Sequence, residues 1–547
     1  MVATAKLPDV PKNESQVRRC LSDKLWRLNH LYSIVDERGD RMRFKLNPLQ
    51  QRFMSDRHGL DVLLKARQWG GTTAIDIDML DDALFTPDLR CGIVAHTKLD
   101  AQAIFQDKIK FAYDNLPDIV KSRITALRCD RGELLLSNNS SIRVAVSFRS
   151  ATTHRLHVSE HGKICAKYPQ RAEELKTGTL PSVHPQQGGR ITIESTAEGC
   201  GGDFYDMCQL SQADTAQAAR QGRSLGIMQY RFHFFAWWED PKNSSPDKDI
   251  AISDELKRYF DEVEPKIGKV LTDCQKTWYA QRRDGTGGLK KLMKREYPST
   301  VEEAFESSVE GSVLSEQLEQ VRSEGRITNV PHIKNAPVYT FWDLGIGHKT
   351  AIIWAQFVRE SIRIIAFHQE AGRGMPYFAR LIASTAESKG YIYGKMNEDR
   401  PHYAPHDIMN HEKGTGIILK DTAESLGLRF TPTIRPKLKE DGHDAMREIL
   451  PLCWFDIGCE ELIKALSMYR YEWDEELSQF KKNPLEDWTS DAVDAFQTLA
   501  LAYRLVPIGG RVLGSVVPVA TTPEYVKDDV YDPLAEYRGS LTGARNG

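Results

Sequence analysis

The sequence predicts an α/β protein made of two α/β units joined by a helical segment. Short apolar runs alternate with helical stretches from Asp61 to about Thr196. A charged, aromatic and mostly helical region follows over residues 205–310, and a second strand-rich region extends from Val338 to about Leu505. Alternation of this kind is typical of a sheet with helices on its faces.

Composition places the chain among soluble globular proteins. Its 547 residues are 41% hydrophobic and 27% charged, and the net charge of -3 means that any DNA-binding surface must be local. The nine cysteines form no CxxC pair, which favours a reducing cytosol. No apolar run approaches the ~20 residues of a membrane span, and the start of the chain lacks the apolar core of a signal peptide. We therefore expect a cytoplasmic protein with no membrane partner.

Five parts are expected along the chain. They are a helical lead-in with an adenine-binding segment (1–60), a nucleotide-binding core (61–230), a lid and linker (231–330), a second α/β unit (331–505) and a C-terminal tail (506–547). The tail contains glycines, prolines and mixed charge without periodicity, so we expect it to be flexible.

In the first unit, a loop with two glycines and two threonines follows an apolar strand. The apolar runs that we expect to be buried strands are Val62–Leu64, Gly92–Val94, Ile142–Val146, Leu156–Val158 and Ile191–Ile193. The first continues as VLLKARQWGGTT, the layout of a loop whose N–H groups bind phosphate and whose threonine hydroxyl binds Mg²⁺. The usual GxxxxGK[ST] pattern is not matched: Gly71 stands at the lysine position and Lys65 at the first glycine. An ordinary strand–turn–helix is the alternative.

Residues downstream of this loop favour an ATP site. Strand LHVSE ends in Glu160, a carboxylate suited to positioning the water that attacks the γ-phosphate, with Ser159 where an aspartate usually assists magnesium. Strand ITIESTA ends in hydroxyl residues suited to sensing the γ-phosphate, and Gln50 is suited to binding an adenine edge. The predicted ATP ligands are Gln50, Lys65, Arg67, Gln68, Gly70, Gly71, Thr72, Thr73, Ser195 and Thr196, with Thr72 also on Mg²⁺.

The second unit contains three separated acidic segments. Asp343 ends a strand in FWDLGIGHKTAIIW, Asp407 ends an apparent strand in HYAPHD, and the helical SDAVDAF carries Asp491 and Asp494 on one face. Carboxylates that converge from separate segments hold two Mg²⁺ or Mn²⁺ ions about 4 Å apart, which activate water and stabilise the leaving oxygen of a phosphodiester. Each aspartate alone is also explained as a turn, cap or solvated helix residue.

Other polar residues have competing interpretations. His402, His406 and His411 suggest zinc, but no cysteine lies at a useful spacing, so we expect them to line the cleft or to pack structurally. The basic stretches Lys290–Arg295 and Arg435–Lys439 are suited to DNA phosphate, or are solvated charged faces. No aromatic-interleaved base-reading pattern is present, which favours tracking of the DNA backbone.

Taken in order, these segments resemble the large terminase subunit of tailed bacteriophages, a motor-nuclease that packages DNA. The resemblance covers roughly residues 45–505 and rests on the displaced Lys65, the segment 147–162 that approaches Glu160, and EYPSTVEEAF at 296–305. Ser159 and Gly71 depart from the fuller motifs and leave open how magnesium is held. His348 stands where the family often has an acidic residue, so Asp491 is the alternative fourth carboxylate.

The resemblance implies an N-terminal P-loop (ASCE-type) ATPase domain with a helical lid and a C-terminal RNase H-like nuclease domain. It implies ATP-driven translocation of double-stranded DNA into a procapsid and cleavage of concatemeric DNA. Glu160 would be catalytic, Arg149 would act in trans on a neighbouring subunit's ATP, and Asp343, Asp407 and Asp494 would bind the nuclease metals. The implied partners are a portal protein, a small terminase subunit and a pentameric ring of copies in the host cytoplasm. A helicase or repair-type ATPase fused to a two-metal nuclease is one alternative, and a binding protein with degraded motifs is another.

Overall fold

A computed structural model describes most of the chain. The described residues are 7–36, 38–148, 152–247, 250–306, 311–345, 349–394, 400–410, 418–474, 477 and 479–503. Arg149, His348, His411 and the tail 506–547, all named in the sequence analysis, lie outside them. In the part of the chain that the structure describes, no helix is both long and apolar enough to cross a membrane.

Helices and strands alternate along the described chain. The helices are α1 (Glu14–Ser22), α2 (Lys24–His30), α3 (Pro48–Asp56), α4 (Gly71–Phe85), α5 (Lys98–Ala103), α6 (Phe111–Asp114), α7 (Asp118–Lys121), α8 (His161–Lys167), α9 (Pro169–Glu174), α10 (Asp203–Arg220), α11 (Asp254–Ile267), α12 (Asp273–Asp284), α13 (Met293–Glu296), α14 (Val301–Glu306), α15 (Ser315–Ser323), α16 (Met375–Lys389), α17 (Leu419–Ser425), α18 (Lys439–Ile449), α19 (Glu460–Met468) and α20 (Ser490–Ala502). The strands are β1 (Ser33–Val35), β2 (Arg41–Arg43), β3 (Leu60–Lys65), β4 (Arg90–Val94), β5 (Ala126–Asp130), β6 (Glu133–Leu136), β7 (Ser141–Ala145), β8 (Arg155–Ser159), β9 (Arg190–Ser195), β10 (Arg231–Phe235), β11 (Ile327–Thr328), β12 (Val338–Asp343), β13 (Lys349–Val358), β14 (Ser361–Ala371), β15 (His402–Ala404), β16 (Phe430–Pro432), β17 (Cys453–Asp456), β18 (Tyr471–Asp474) and β19 (Gln479–Pro484).

The N-terminal sheet has eight strands in the order β10-β3-β9-β8-β4-β7-β6-β5. Strands β10 to β7 are parallel, and β6 and β5 extend the sheet antiparallel. All five runs predicted as strands are strands here, as β3, β4, β7, β8 and β9. Because β9 and β8 lie between β3 and β4, the carboxyl ends of β3, β9 and β8 are neighbours, and ligands of parallel α/β sheets bind at that edge.

The C-terminal sheet has seven strands in the order β11-β17-β14-β13-β12-β15-β16. Strand β13 runs antiparallel to both β12 and β14, whereas β15 and β16 run parallel to β12. Helix α20 packs on this sheet, with Val493 and Phe496 in the same core cluster as Phe341 of β12. The predicted α/β fold class is confirmed, with a largely parallel sheet in the N-terminal unit and a mixed sheet in the C-terminal unit.

The packing differs from the predicted parts at two boundaries. Strand β10 pairs with β3 in the N-terminal sheet although it falls within the predicted lid. Residues Val313 to Val321 pack in the C-terminal core and β11 pairs with β17, although both precede residue 331. We therefore propose that the lid begins after Phe235 and that the C-terminal unit begins near Gly311.

The two units contact each other near α8. Arg470, which is buried, donates from Nε to the carbonyl oxygen of Ala166 at 3.0 Å, and its Nη1 lies 3.4 Å from Asp487 Oδ2. The ammonium of Lys167 lies 4.3 Å from the centre of the Trp473 ring. The helix that follows Glu160 is therefore joined directly to the C-terminal unit.

Candidate nucleotide and metal sites

The first candidate site lies at the carboxyl edge of β3, β9 and β8. Lys65 ends β3, Ser159 ends β8 and Ser195 ends β9. Glu160 follows Ser159, and Thr196 follows Ser195. The fold thus brings together residues that lie far apart in the sequence. Lys65, Glu160, Ser195 and Thr196 were predicted to bind ATP or to position the attacking water, whereas Ser159 stands where an aspartate was expected.

Lys65 lies between two carboxylates. Its Nζ is 3.1 Å from Glu160 Oε1 and 2.9 Å from Glu194 Oε2, and its side chain is 7% exposed. Burial alone would lower the pKa of Lys65, but Glu160 and Glu194 raise it well above its ordinary value. Lys65 is therefore a fixed positive charge at the start of the loop.

The loop conformation explains why the lysine is displaced. Trp69 is buried and stacks on Phe235 with a ring separation of 4.1 Å. A Cβ on Gly71 would lie 2.0 Å from Trp69 Cζ2, so the indole occupies the space that a side chain at this position would need. Gly70 has a φ of +81°, in the left-handed region that glycine adopts readily.

Several side chains brace the loop from outside. Gln50 is buried, donates to the carbonyl oxygen of Gly70 at 2.8 Å and accepts from the backbone N–H of Asn47 at 2.9 Å. Its amide therefore holds the loop in this conformation, and the predicted adenine contact would need these bonds to change. The Arg67 guanidinium lies 3.1 Å from Glu296 Oε2, within the EYPSTVEEAF segment.

Two further predicted ligands have partners that the sequence analysis did not identify. Tyr297 donates from its hydroxyl to Gln68 Oε1 at 3.4 Å, and Lys108 donates from Nζ to Thr73 Oγ1 at 2.6 Å. Lys108 lies on a π-helical segment, Ile104–Lys110, that begins directly after α5. It adds a positive charge beside the first turn of α4.

A buried polar network also escaped the sequence analysis. Glu194 on β9 accepts from Thr72 Oγ1 at 2.5 Å and from Ser159 Oγ at 3.1 Å. His157 on β8 lies 3.4 Å from Glu194 and 2.8 Å from Asp76 of α4. The available signal was an ionisable residue next to buried apolar ones in each of two strands, His157 between Leu156 and Val158 and Glu194 after Ile193, because such a residue is costly to bury unless it is paired.

The site has features that fit ATP. Among the described residues, the buried hydroxyls of Ser195 and Thr196 have no hydrogen-bond partner, and buried hydroxyls normally have one. Glu160 has a φ of +58° and precedes α8, an unusual conformation for a residue other than glycine. Free hydroxyl donors, a fixed ammonium and a helix N-terminus that follows a glycine loop together suit a phosphate chain.

The second candidate site is a cavity of about 950 Å³ in the C-terminal unit. Asp343, Asp407, Asp491 and Asp494 all line it. Asp343 ends the inner strand β12, and Asp491 and Asp494 lie on the first turns of α20. All four predicted metal-binding aspartates therefore face one space.

Asp407 is placed differently from the prediction. Strand β15 ends at Ala404, and Asp407 lies in a 3₁₀ turn, His406–Met409, where it is exposed. Pro405 follows the strand and has no N–H to continue the ladder. The carboxylate still reaches the cavity, but from a turn rather than from a strand end.

The carboxylates in the cavity repel one another. Burial and the negative charges of Asp494, Asp491 and Asp407 raise the pKa of Asp343 to about 8. Burial and the charges of Asp491, Glu486 and Asp407 likewise raise the pKa of Asp494 to about 6, although Lys439 acts in the opposite direction. Unpaired carboxylates with raised pKa values fit divalent cations, which would supply the missing positive charge.

The cavity also has a basic wall. Arg435, Lys437 and Lys439 line it, all from the basic stretch that was predicted to contact DNA phosphate. The other basic stretch is less available, because Arg295 is buried and pairs with Glu296 at 2.7 Å and with Glu198 at 3.3 Å. Phosphate contacts are therefore better supported at Arg435–Lys439.

The described residues do not form a ready-made metal cage. Within the described ranges, no three His, Cys, Asp or Glu side chains are arranged closely enough to hold an ion. His402 is buried, shares a 2.7 Å hydrogen bond with Thr340 Oγ1, and has its pKa lowered to about 4 by burial. His402 therefore packs structurally in the core, whereas His406 lines the cavity; these are the two roles that were expected for the histidines.

Comparisons with known proteins gave structural matches only. No family model and no curated protein matches the chain. The large terminase of a thermophilic bacteriophage, in complex with ADP, matches with 12% identity over 90% of this chain and 100% of that chain, at a TM-score of 0.28. The ATPase domain of the Thermus phage P74-26 large terminase matches with 16% identity over 47% of this chain and 94% of that chain, at a TM-score of 0.33. The P22 large terminase nuclease domain matches with 18% identity over 34% and 91%, at a TM-score of 0.26.

We expect Gly71→Ala to lower the free energy of unfolding by about 1–3 kcal/mol, because the new methyl group overlaps the Trp69 indole. Thermal unfolding of the full chain measures this. The matched control is Gly178→Ala, where a Cβ would meet nothing within 4 Å. A Gly71→Ala variant as stable as the control would contradict the account of the loop.

We expect Asp343→Asn to stabilise the chain in a divalent-ion chelator. The folded state retains a proton on Asp343 up to about pH 8, whereas the unfolded chain loses it above about pH 4, so wild-type stability falls as pH rises between these values. The gain from Asn should grow across this window to at least about 1 kcal/mol, the equivalent of one pKa unit, and level off above it.

Chemical unfolding at several pH values measures this gain. Asp261→Asn, at an exposed site on α11, is the control and should give the same small effect throughout. A gain from Asp343→Asn that does not change with pH would show that the carboxylates of the cavity are not in electrostatic conflict.

Proposed function

We propose that this chain is a phage-type large terminase subunit that couples ATP hydrolysis to translocation of double-stranded DNA and cleaves concatemeric DNA. One observation carries the proposal: a single chain contains a phosphate-type loop with a buried lysine, Lys65, that pairs with Glu160 and Glu194 and, in a separate unit, a cavity with four aspartates and a basic wall. The first arrangement suits nucleotide hydrolysis, and the second suits cutting a phosphodiester backbone.

The N-terminal site supplies the parts needed for phosphoryl transfer. Lys65 would bind phosphate oxygens, and Thr72, at the start of α4, would hold Mg²⁺, which neutralises charge on the phosphates when bound. Glu160 would orient the attacking water, since its carboxylate is fixed beside Lys65 and Lys163. Ser195 and Thr196 would donate hydrogen bonds to the γ-phosphate from the neighbouring strand end.

The C-terminal cavity supplies the parts needed for hydrolysis of DNA. Asp343, Asp407 and Asp494, with Asp491 as a fourth candidate, would hold two Mg²⁺ or Mn²⁺ ions, which activate water and stabilise the leaving oxygen when bound. Arg435, Lys437 and Lys439 would bind the flanking phosphates without contacting bases. Cleavage with little sequence preference follows from this arrangement.

The partners belong to the same proposal. A portal protein, a small terminase subunit and a pentameric ring of copies on the procapsid would complete the motor in the host cytoplasm, with Arg149 acting on a neighbouring subunit's ATP. The alternative is a helicase or repair-type ATPase with a nuclease. Procapsid-dependent stimulation of ATP turnover by DNA favours the packaging motor, whereas strand separation of free duplex favours the alternative.

We expect Lys65→Ala to lower ATP turnover by about 100-fold or more, because the variant lacks the positive charge that would stabilise the transferred phosphate. Glu160→Gln should still bind ATP but hydrolyse it slowly. Steady-state phosphate release by the full chain measures both effects. Mn²⁺-dependent plasmid cleavage, which should survive in both variants, reports that the C-terminal unit is intact. ATP turnover at the wild-type rate in Lys65→Ala would remove Lys65 from this role.

We expect Asp343→Asn, Asp407→Asn and Asp494→Asn each to reduce plasmid cleavage by at least about 100-fold while sparing ATP turnover, because each of these carboxylates would help to hold the metal ions. Asp491→Asn, where the carboxylate also accepts from Lys349 N–H at 3.3 Å, should have a smaller effect. Cleavage is measured with Mg²⁺ or Mn²⁺ and should vanish with chelator. If Asp407→Asn cuts as well as wild type, the assignment of the metal ligands is wrong.

A further inference from the structure

Ser159 stands where a carboxylate is usually needed to support magnesium, and its cross-strand neighbour provides one. In the parallel pairing of β8 and β9, Ser159 lies directly opposite Glu194. The Ser159 hydroxyl donates to Glu194 Oε1 at 3.1 Å, so the two side chains meet at the strand ends. The carboxylate is thus present at the expected place in space, although it comes from the adjacent strand.

Glu194 also contacts the residue proposed to bind the metal. Thr72 donates from its hydroxyl to the same oxygen, Glu194 Oε1, at 2.5 Å, and Lys65 lies 2.9 Å from the other oxygen. A threonine hydroxyl that donates its proton to a carboxylate has only lone pairs left for its other contacts. This arrangement orients the hydroxyl oxygen toward a cation, as partners of metal ligands commonly do.

The complete burial of Glu194 favours a functional role for its negative charge. The side chain has no exposed surface, and a buried carboxylate costs more free energy than an apolar residue of similar size unless it is paired. Lys65 and His157 provide that pairing on two sides. A purely structural ion pair would not require that Glu194 also hold the hydroxyls of Thr72 and Ser159.

We propose that Glu194 is the positioning residue for Mg²⁺ at the nucleotide site, where it acts through the Thr72 hydroxyl and replaces the carboxylate that Ser159 lacks. This inference rests on the proposed ATP function. The positioning carboxylate then comes from β9 rather than from β8. A carboxylate placed at position 159 should therefore substitute for the one at position 194.

The test is equilibrium binding of a fluorescent, slowly hydrolysed ATP analogue to the full chain, in Mg²⁺ and in chelator. Wild type should bind more tightly in Mg²⁺. Glu194→Gln should lose this Mg²⁺-dependent gain by about 10- to 100-fold while its affinity in chelator changes little. Ser159→Asp combined with Glu194→Gln should restore the gain, because it returns a carboxylate to the opposite strand end.

Two further variants separate this role from a structural one. Glu194→Asp retains the charge beside Lys65 and His157, but it is one methylene shorter and should withdraw from Thr72. It should therefore fold normally and still lose most of the gain. Asp76→Asn is the matched control, since Asp76 is equally buried and belongs to the same network through His157, but among the described residues its carboxylate makes no hydrogen bond to Thr72. It should lower the melting temperature and keep the gain.

The outcomes are distinct. Equal weakening of Glu194→Gln in Mg²⁺ and in chelator, or a full gain in Glu194→Asp, would overturn the assignment and leave Glu194 as a counter-ion of Lys65. Failure of the Ser159→Asp exchange to restore the gain, in a folded protein, would also count against it. Wild type that binds the analogue equally with and without Mg²⁺ would overturn this assignment alone. Wild type that fails to bind the analogue under either condition would overturn the proposed ATP function, and this assignment with it.

Discussion

The ion pair network around Lys65 is the interaction on which the proposed nucleotide site depends. A lone buried ammonium would be costly, so Lys65 depends on Glu160 and Glu194, and these two carboxylates are also paired with Lys163 and His157, respectively. Since Lys65, Glu160 and Glu194 lie on β3, β8 and β9 or directly after them, their pairing requires these strand ends to be neighbours. The strand order and the chemistry at the sheet edge are therefore one constraint. Breaking the pairing would disturb the fold and the site together.

A short structural path connects this network with the second site. Glu160 immediately precedes α8, and near the end of α8 the carbonyl oxygen of Ala166 accepts from Arg470. Arg470 also pairs with Asp487, which lines the cavity and lies three residues before α20, the helix that carries Asp494. A displacement of α8 that accompanies a change at Glu160 would therefore act on a buried arginine next to the aspartate cavity. Direct contacts through α8 and Arg470 therefore connect the two candidate sites, although the sites belong to different units.

The sequence predicted local features well and cross-chain partners poorly. The strands of the first unit were visible because each is a short apolar run, and the four cavity aspartates were visible because each lies in a recognisable local context. Glu194 was missed because its role depends on residues of the neighbouring strand β8. The local pattern of apolar and polar residues does not show which strands are neighbours. Arg295 shows the reverse error: it belongs to a basic run in the sequence, yet the fold buries it against Glu296 and Glu198. The two unit boundaries were misplaced for the same reason. Packing decides that β10 joins the N-terminal sheet and that the segment after Gly311 joins the C-terminal core, and local sequence does not show this.

The two sites handle buried charge in opposite ways, and this difference bears on how each would respond to its ligand. At the nucleotide site the carboxylates are already paired with Lys65 and His157, so the protein itself neutralises them. In the cavity the aspartates face one another, with the basic wall as the counter-charge that the chain provides, and the pKa of Asp343 rises to about 8. Divalent ions entering the cavity would displace protons and relieve repulsion, so their binding should strengthen as pH rises toward that value. Nucleotide binding, by contrast, would require Lys65 to exchange carboxylate partners for phosphate oxygens. The charges of the first site are therefore balanced by the chain itself, whereas those of the second would be balanced by the ions proposed to bind there.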